Sequence, residues 1–517
     1  MKKSLISLVL TSFLLLAIAT SCRNNAQTSV SLPRSTPEAE GVSSEAVITF
    51  LDSAATGVHE FHGFMFLRHG KVIAEGWWYP YRADLRHTLY STSKSFTSTA
   101  VGLAVSEKRI SVDDKVTSFF PDQLPDSVSP FLAEMTVKDL LTMSAGQSPD
   151  PTGVIASSDS SWVKAFLALP VLNEPGSTFL YNSMASFMLS AIVQKVTGQK
   201  VIDYLQPRLF APLAITGIDW EVSPEGINTG GWGLRLKTED MAKFGQLLLQ
   251  KGMWNGRQVI PTRWVEEATT FKIDQAPDAP QSKRDSSDWL QGYCYQFWRC
   301  RNNAFRADGA YGQFIIVMPD KDAVVAITAE SPDMQDEINM VWKYLLPDMK
   351  DEPLPDNTTA AETMKDKLAS LTLPLAAKGA VSPLTSTLKS KTFSFENNNL
   401  NLESFSIDFT GDTCNLSLKV EGKDYNIPFG EGKWIISRTD LSGPNLISKP
   451  GALSSNITAG SYSWKDDSTL ELVLRYIESP HHLLITCLFN EEGVDVRVHL
   501  SIPPGIDLPP FRGTVMK

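Results

Sequence analysis

Apolar and polar positions recur with two different periods along this chain, and the change of period divides it. Gly63-Phe64-Met65-Phe66-Leu67-Arg68-His69-Gly70-Lys71-Val72-Ile73-Ala74-Glu75-Gly76 predicts a β-hairpin turned at His69-Gly70-Lys71. Ser91 to Val105 carries Phe96, Ala100, Val101 and Ala104 on one side, which is helical spacing. Thr238 is expected to cap a helix through Leu249 that Gly252 closes. Phe305–Pro319 and Ala323–Ala329 read as two successive strands, and Asp333–Leu346 as a final helix. Strands at both ends with helices between predict an α+β fold over residues 36–349, an antiparallel sheet flanked by helices.

The character then changes. Pro347 to Asp356 holds three prolines and four acidic residues, a linker composition. A helical stretch follows from about Ala360 to Leu371, so residues 350–390 read as a linker with a short helix. From residue 391 short alternating runs dominate: Leu402–Phe409, Asn415–Val420, Trp434–Ser437, Thr469–Tyr476, Leu483–Phe489 and Val494–Ile502. Such spacing predicts an all-β sandwich or barrel over 391–517. No internal repeat is visible.

The N-terminus follows neither period. Lys2 and Lys3 precede an apolar run from Leu5 to Ile18, then Ala19-Thr20-Ser21-Cys22. A positive start, a short apolar core and small residues form an export signal, too short and wrongly flanked for a good membrane span. An uncleaved anchor or a plain secretory signal fits the same pattern. The segment resembles a bacterial lipoprotein signal over residues 1–21, in which the Cys22 thiol is lipidated, with Ala19 where Leu is commoner. Residues 22–35 are then a polar tether. The Cys22-Arg23-Asn24-Asn25 start lacks the acidic run resembling a surface-export signal, so the expected location is the periplasmic face of the outer membrane.

Composition narrows the function. The 517 residues carry 47 Lys and Arg against 58 Asp and Glu, a net charge of −11, or −13 once the two lysines of the leader are gone. Phosphate neutralisation needs clustered cations, so a general nucleic-acid binder is excluded as an expectation. Five cysteines are too few for a disulfide scaffold. Cys294 and Cys300, if on one strand, lie about 20 Å apart and cannot bond. Cys414 and Cys487 fall in strand-like segments, where a disulfide and two buried thiols are both open. His59-x-x-His62 reads as loop residues, and the seven histidines suggest no metal-ligand set.

Three segments carry candidate chemistry. In Ser91-Thr92-Ser93-Lys94 a helix places Ser91 and Lys94 on one face, with Ser91 near the positive end of the helix dipole. A serine hydroxyl needs a base, and burial favours neutral lysine. Ser161/Lys164 and Ser386/Lys389 share the spacing; only the first opens a small-residue helix after a hairpin. Any of the three is also compatible with a helix cap beside a solvated lysine. Pro175-Gly176-Ser177-Thr178-Phe179-Leu180-Tyr181-Asn182-Ser183 presents Tyr181 at a helix entrance; a phenolate there would share a proton with a nearby lysine, and a tyrosine packed under a loop is the bland alternative. Phe305-Arg306-Ala307-Asp308-Gly309-Ala310-Tyr311-Gly312-Gln313 sets glycines in a strand pattern, either for close approach of a ligand or as a bulge.

In this order the segments resemble the penicillin-recognising serine hydrolases, in the class C β-lactamase and β-lactamase-like esterase branch. Tyr181 lies 90 residues and Ala307 216 residues beyond Ser91, as in that branch. Arg68-His69-Gly70-Lys71, Leu140–Gly146 and Gly233–Thr238 are similar too. The resemblance implies a β-lactamase/transpeptidase-like fold with an all-α subdomain and needs no metal or cofactor. It implies Ser91 as acylated nucleophile, Lys94 and Tyr181 as general base and acid, and the backbone N–H groups of Ser91 and Ala310 as oxyanion hole. Ser183, Asp308 and Gly309 would meet substrate. The third motif departs from the family: Ala307-Asp308-Gly309 stands where Lys/His-Thr-Gly is expected, and alternation turns Arg306 to the other face. An acidic Asp308 points away from carboxylate-bearing drugs, towards a neutral or cationic ester or amide. The segment is also similar to nylon-oligomer hydrolases and carboxylesterases, and the C-terminal domain resembles appended lipocalin-like barrels.

The expected function is a membrane-anchored serine hydrolase cleaving an ester or amide of a small-molecule or peptide-like substrate. A DD-peptidase or β-lactamase, and a catalytically silent wall-fragment-binding protein, are the alternatives. Nothing in the sequence speaks to oligomeric state.

Overall fold

The expected hairpin forms as strands Glu60–Arg68 and Lys71–Trp77, with His69 and Gly70 in the turn at positive φ. The computed structural model describes residues 31–375, 382–389, 391–447 and 456–516. Cys22 and the leader lie outside them. Among the described residues no helix is long and apolar enough to cross a membrane.

Six antiparallel strands form the central sheet, in the order Lys71–Trp77, Glu60–Arg68, Ala323–Glu330, Gln313–Met318, Phe305–Gly309, Trp298–Arg299. Side chains on successive residues point to opposite faces. Met65 and Leu67 therefore enter one core, while Phe64 and Phe66 enter the other. The first core holds helices Ser93–Ser106, Ser183–Thr197 and Thr238–Leu249; the second holds Ser44–Thr56 and Met334–Met340. Burial on both faces explains why these strands are continuous apolar runs.

Helix Ser93–Ser106 is buried at every position from Ser93 to Ala104. Its small residues permit this. A Cβ on Gly102 would lie 2.3 Å from the Trp264 ring, and Phe96 stacks on Phe244 with ring centres 4.1 Å apart.

The structure corrects several expectations. The α-helix starts at Ser93, and Tyr90–Thr92 form a 3₁₀ turn before it. Phe305–Pro319 is two strands, broken by a turn at Ala310–Gly312 where Tyr311 and Gly312 have φ of 66° and 94°. A Cβ on Gly312 would meet the Glu337 carboxylate at 2.1 Å, so only glycine fits there. Cys294 and Cys300 do not share one strand: the chain reverses at Gln296 (φ 64°) and bridges Tyr293 to Trp298. All four described cysteines are buried free thiols, Cys414 and Cys487 included. His59 and His62 are buried, and His62 lies within the strand rather than a loop. Thr238 is the first residue of its helix, not its cap. Leu32, placed in the polar tether, is buried, and Arg34 pairs with Glu75 at 2.9 Å.

The C-terminal part is a nine-stranded barrel. Its ring runs Lys423–Glu431, Thr413–Val420, Leu402–Thr410, Thr392–Phe395, Phe511–Val515, Gly493–Leu500, His482–Phe489, Thr469–Tyr476, Asn456–Trp464. Parallel pairing of Gly430 with Ser461 and Glu431 with Tyr462 closes it. Phe405, Ile407, Leu416, Phe429, Leu472 and Val496 share its core.

Barrel and sheet layer meet at the turn following Thr469–Tyr476. Arg475 pairs with Glu60, Nη2 to Oε2 at 2.8 Å. The Glu478 carbonyl accepts from Thr88 N at 2.9 Å, and Tyr81 donates its hydroxyl to the Ser479 carbonyl at 2.9 Å. This contact reaches within three residues of Ser91.

Candidate active site

Ser91 sits in a turn fixed from both sides. Leu89 N donates to the Leu234 carbonyl at 3.0 Å, and Leu234 N donates to Ser93 Oγ at 3.1 Å. Thr92 Oγ1 donates to the Gln313 carbonyl at 2.7 Å, tying the turn to the sheet. Tyr90 has φ 46°. Ser91 itself is half-buried, at the mouth of the site.

Lys94 lies one turn on and is buried. Its Nζ is 2.9 Å from Ser91 Oγ, 2.9 Å from Ser183 Oγ and 2.7 Å from the Gly231 carbonyl. Burial lowers its pKa to about 7, against the opposing pull of Asp308 and Asp150. A sizeable neutral fraction therefore exists near pH 7, with a lone pair for the Ser91 proton. Gly231 allows this approach: a Cβ there would lie 2.8 Å from the Ser183 carbonyl.

Tyr181 forms the second wall. Its ring centre is 4.8 Å from Lys94 Nζ and 5.6 Å from Trp298, on which it stacks. Burial and then Asp308 push its hydroxyl above the ordinary range, opposed by a hydrogen bond with Ser91. Tyr181 thus keeps its proton at neutral pH in the resting site. Asn182 caps helix Ser183–Thr197 by accepting from Met184 N and Ala185 N, and donates to Gln147 at 2.7 Å.

The third side is the strand end at Gly309. A Cβ on Gly309 would lie 2.0 Å from the Leu89 carbonyl, so this strand passes directly against the Ser91 turn. Ala310 follows, half-buried at the mouth.

Asp308 is buried and pairs with Arg306, whose Nε and Nη2 are 3.0 and 2.9 Å from Oδ2. Alternation does separate Arg306 from Ala307, and for the same reason it puts Arg306 beside Asp308. The acidic charge expected to face substrate is therefore already held in an ion pair with Arg306. Arg306 also stacks over Trp289 at 4.2 Å and donates to the Asp288 carbonyl at 2.8 Å. Ala307 is buried in the first core.

The structure thus brings Ser91, Lys94, Tyr181, Ser183 and Gly309 together. The other two Ser-x-x-Lys matches lie elsewhere in local roles. Ser161 Oγ accepts from Lys164 N at 3.2 Å as a helix cap, and Ser386 is exposed, donating to the Pro383 carbonyl at 3.2 Å. Sequence reasoning missed Gly231, the pairing of Arg306 with Asp308 and the stacking Trp298. The Gly230-Gly231-Trp232-Gly233 run was a signal for the first, because such glycine density marks close backbone approach.

A buried lysine against a serine, a tyrosine at a helix entrance and an antiparallel sheet between helical layers define one class of protein. The chain belongs to the β-lactamase family, whose profile, described as Beta-lactamase, matches residues 56–345. It is 27% identical over 288 residues to a 6-aminohexanoate-dimer hydrolase of Paenarthrobacter ureafaciens, covering 52% of this chain and 72% of that protein. It is 22% identical over 307 residues to a β-lactamase of Escherichia coli strain K12, covering 50% and 78%. An octameric penicillin-binding protein homologue from Pyrococcus abyssi superposes with a TM-score of 0.48 at 15% identity, over 91% of this chain and 99% of that one.

Proposed function

We propose that the protein hydrolyses small esters or amides through an acyl-enzyme on Ser91. One observation carries the reading: a buried Lys94, its pKa lowered to about 7, stands 2.9 Å from Ser91 Oγ. Neutral Lys94 takes the Ser91 proton as Oγ attacks the carbonyl carbon. The N–H groups of Ser91 and Ala310 receive the developing oxyanion. Tyr181 holds a proton beside Ser91 and delivers it to the leaving group. Water then attacks the acyl carbon and gives its proton to the Tyr181 oxygen, while protonated Lys94 returns its proton to the departing Ser91 Oγ, which restores the site. Ser183 orients Lys94 and lies where a substrate amide would reach it.

Similarity to a 6-aminohexanoate-dimer hydrolase supports a small linear amide or ester. The Arg306–Asp308 pair removes the ground for a preference set by Asp308 charge, so neutral and anionic esters of matched shape should differ little at that position. Incubation with a fluorophosphonate, linear esters, amide dimers and a fluorescent penicillin tests the reading. An adduct mapped to Ser91 with turnover of esters or amides supports it. Turnover of penicillin alone would favour the β-lactamase alternative, and an adduct on another serine would overturn the assignment.

Asp308→Asn has a signed consequence. Asp308 raises the Lys94 pKa, so its loss, leaving Arg306 positive nearby, lowers it. The ascending limb of the kcat/KM–pH profile should move to lower pH. An unpaired buried guanidinium should also cost about 3–5 kcal/mol of stability. An unmoved limb in a folded variant would show that Asp308 and Lys94 are not coupled.

The reading includes a lipid anchor at Cys22, on the periplasmic face of the outer membrane. Its support is the Lys2-Lys3 start, the apolar run to Ile18 and the polar stretch from Arg23. Cys22→Ser should leave the membrane fraction or keep its leader. A variant processed and fractionating like wild type would refute the anchor.

A further inference from the structure

One side chain of the barrel, His481, is hydrogen-bonded to the residue that precedes Ser91. His481, fully buried, lies between Tyr90 and the sheet strand Ala323–Glu330. The Tyr90 hydroxyl is 2.6 Å from His481 Nε2, and His481 Nδ1 is 2.5 Å from Glu330 Oε1. Glu330 also accepts from Ser501 Oγ at 2.7 Å, and its pKa is held at about 2 by its histidine neighbours against burial, the largest influence. An ionised carboxylate only accepts, so Nδ1 carries a proton. Its other ring nitrogen, Nε2, shares a hydrogen bond with the Tyr90 hydroxyl.

Two residues of the site depend on this ring. Tyr90 precedes Ser91, and Tyr311 follows Ala310. Both are non-glycine residues at positive φ, 46° and 66°, a conformation that persists only where the surroundings hold it. The Tyr90 and Tyr311 rings meet edge to face at 5.9 Å, and His481 meets the Tyr311 ring edge to face at 5.2 Å. The histidine thus packs against the residues flanking both N–H groups assigned to the oxyanion.

We propose that His481 of the barrel is a positioning residue for the oxyanion hole, acting through Tyr90 and Tyr311, so that the C-terminal domain is part of the catalytic centre. This rests on the acyl-enzyme reading above. Misplaced donors weaken transition-state binding while leaving ground-state binding largely intact.

The test uses the full chain with an ester substrate and a boronic acid that forms a tetrahedral adduct on serine. His481→Phe keeps a ring but loses both hydrogen bonds. It should lower kcat by about 10–100-fold with KM within about twofold, and weaken the boronic acid in proportion. His481→Gln can bridge the Tyr90 hydroxyl and Glu330, and should restore most of kcat. Tyr81→Phe, which loses a docking bond to Ser479 but touches neither turn, should keep wild-type kcat. If His481→Phe does not fold, Tyr90→Phe removes the same hydrogen bond and should show the same split between kcat and KM. Wild-type kcat in the folded Phe variants, or an equal loss in Tyr81→Phe, would overturn the proposal. A wild-type protein that forms no adduct on Ser91 would instead overturn the reading beneath it.

Discussion

Ser91→Ala should lower ester turnover by roughly 10⁴-fold or more and abolish fluorophosphonate labelling, with no loss of folded protein. The magnitude follows from removing the nucleophile of a coupled unit, in which the remaining groups cannot act without it. The small effect on folding follows from position. Ser91 is half-buried at the site mouth, and the turn around it is held by Leu89, Thr92 and Ser93 rather than by its own hydroxyl. Ser161→Ala and Ser386→Ala are the matched controls. The first loses a helix cap, costing about 1 kcal/mol, and neither should change kcat. Residual labelling of Ser91→Ala at the wild-type rate would mean that another serine reacts.

Lys94→Met should act on rate and on stability at once. Without the base, kcat should fall about 10²–10⁴-fold. The stability difference from wild type should change with pH, because lysine is held here against its preference. Its pKa falls from 10.5 to about 7 through burial, a difference equivalent to ~5 kcal/mol. The sign runs with pH. Below pH 7 both folded and unfolded states hold the proton, and the folded state carries the full burial penalty. Between pH 7 and 10.5 the unfolded state holds more protons, so wild-type stability climbs with pH. Methionine escapes the penalty but leaves the Gly231 carbonyl and two serine hydroxyls without a donor, each loss costing about 1–3 kcal/mol. The Tm of the variant relative to wild type should therefore be highest near pH 6 and fall by pH 9. A difference in Tm that is independent of pH would contradict a neutral buried lysine.

The chemistry of the site was legible where it is local. Ser91 and Lys94 are one helical turn apart and Tyr181 directly precedes the Asn182 cap, and the hairpin before Ser91 and the family resemblance singled this pair out from two others of equal spacing. The antiparallel sheet was legible from apolar runs, which are local too. What failed was pairing between neighbours in space. Strand alternation, applied to Ala307, was not carried on to Asp308, and the Arg306 pair was missed. Strand Lys423–Glu431 escaped because Pro428 and a polar start conceal it, although its register with Thr413–Val420 is unbroken. The glycines at 309 and 312 marked a departure from a plain strand without fixing its form, since Glu337, which lies beneath Gly312, is distant in sequence. His481 had no local signal: its meaning lies in Tyr90, far back along the chain.

That distance bears on when the molecule becomes active. Tyr90 and its partner at 481 are 391 residues apart. Chains are made from the N-terminus at about 5–20 residues per second, so ~20–80 seconds separate the two. During that interval the nascent chain holds Ser91 and Lys94 but not the barrel turn that braces them. A hydrolase built in this way reaches its full rate only once residue 481 has been made and the barrel turn has docked beside Tyr90.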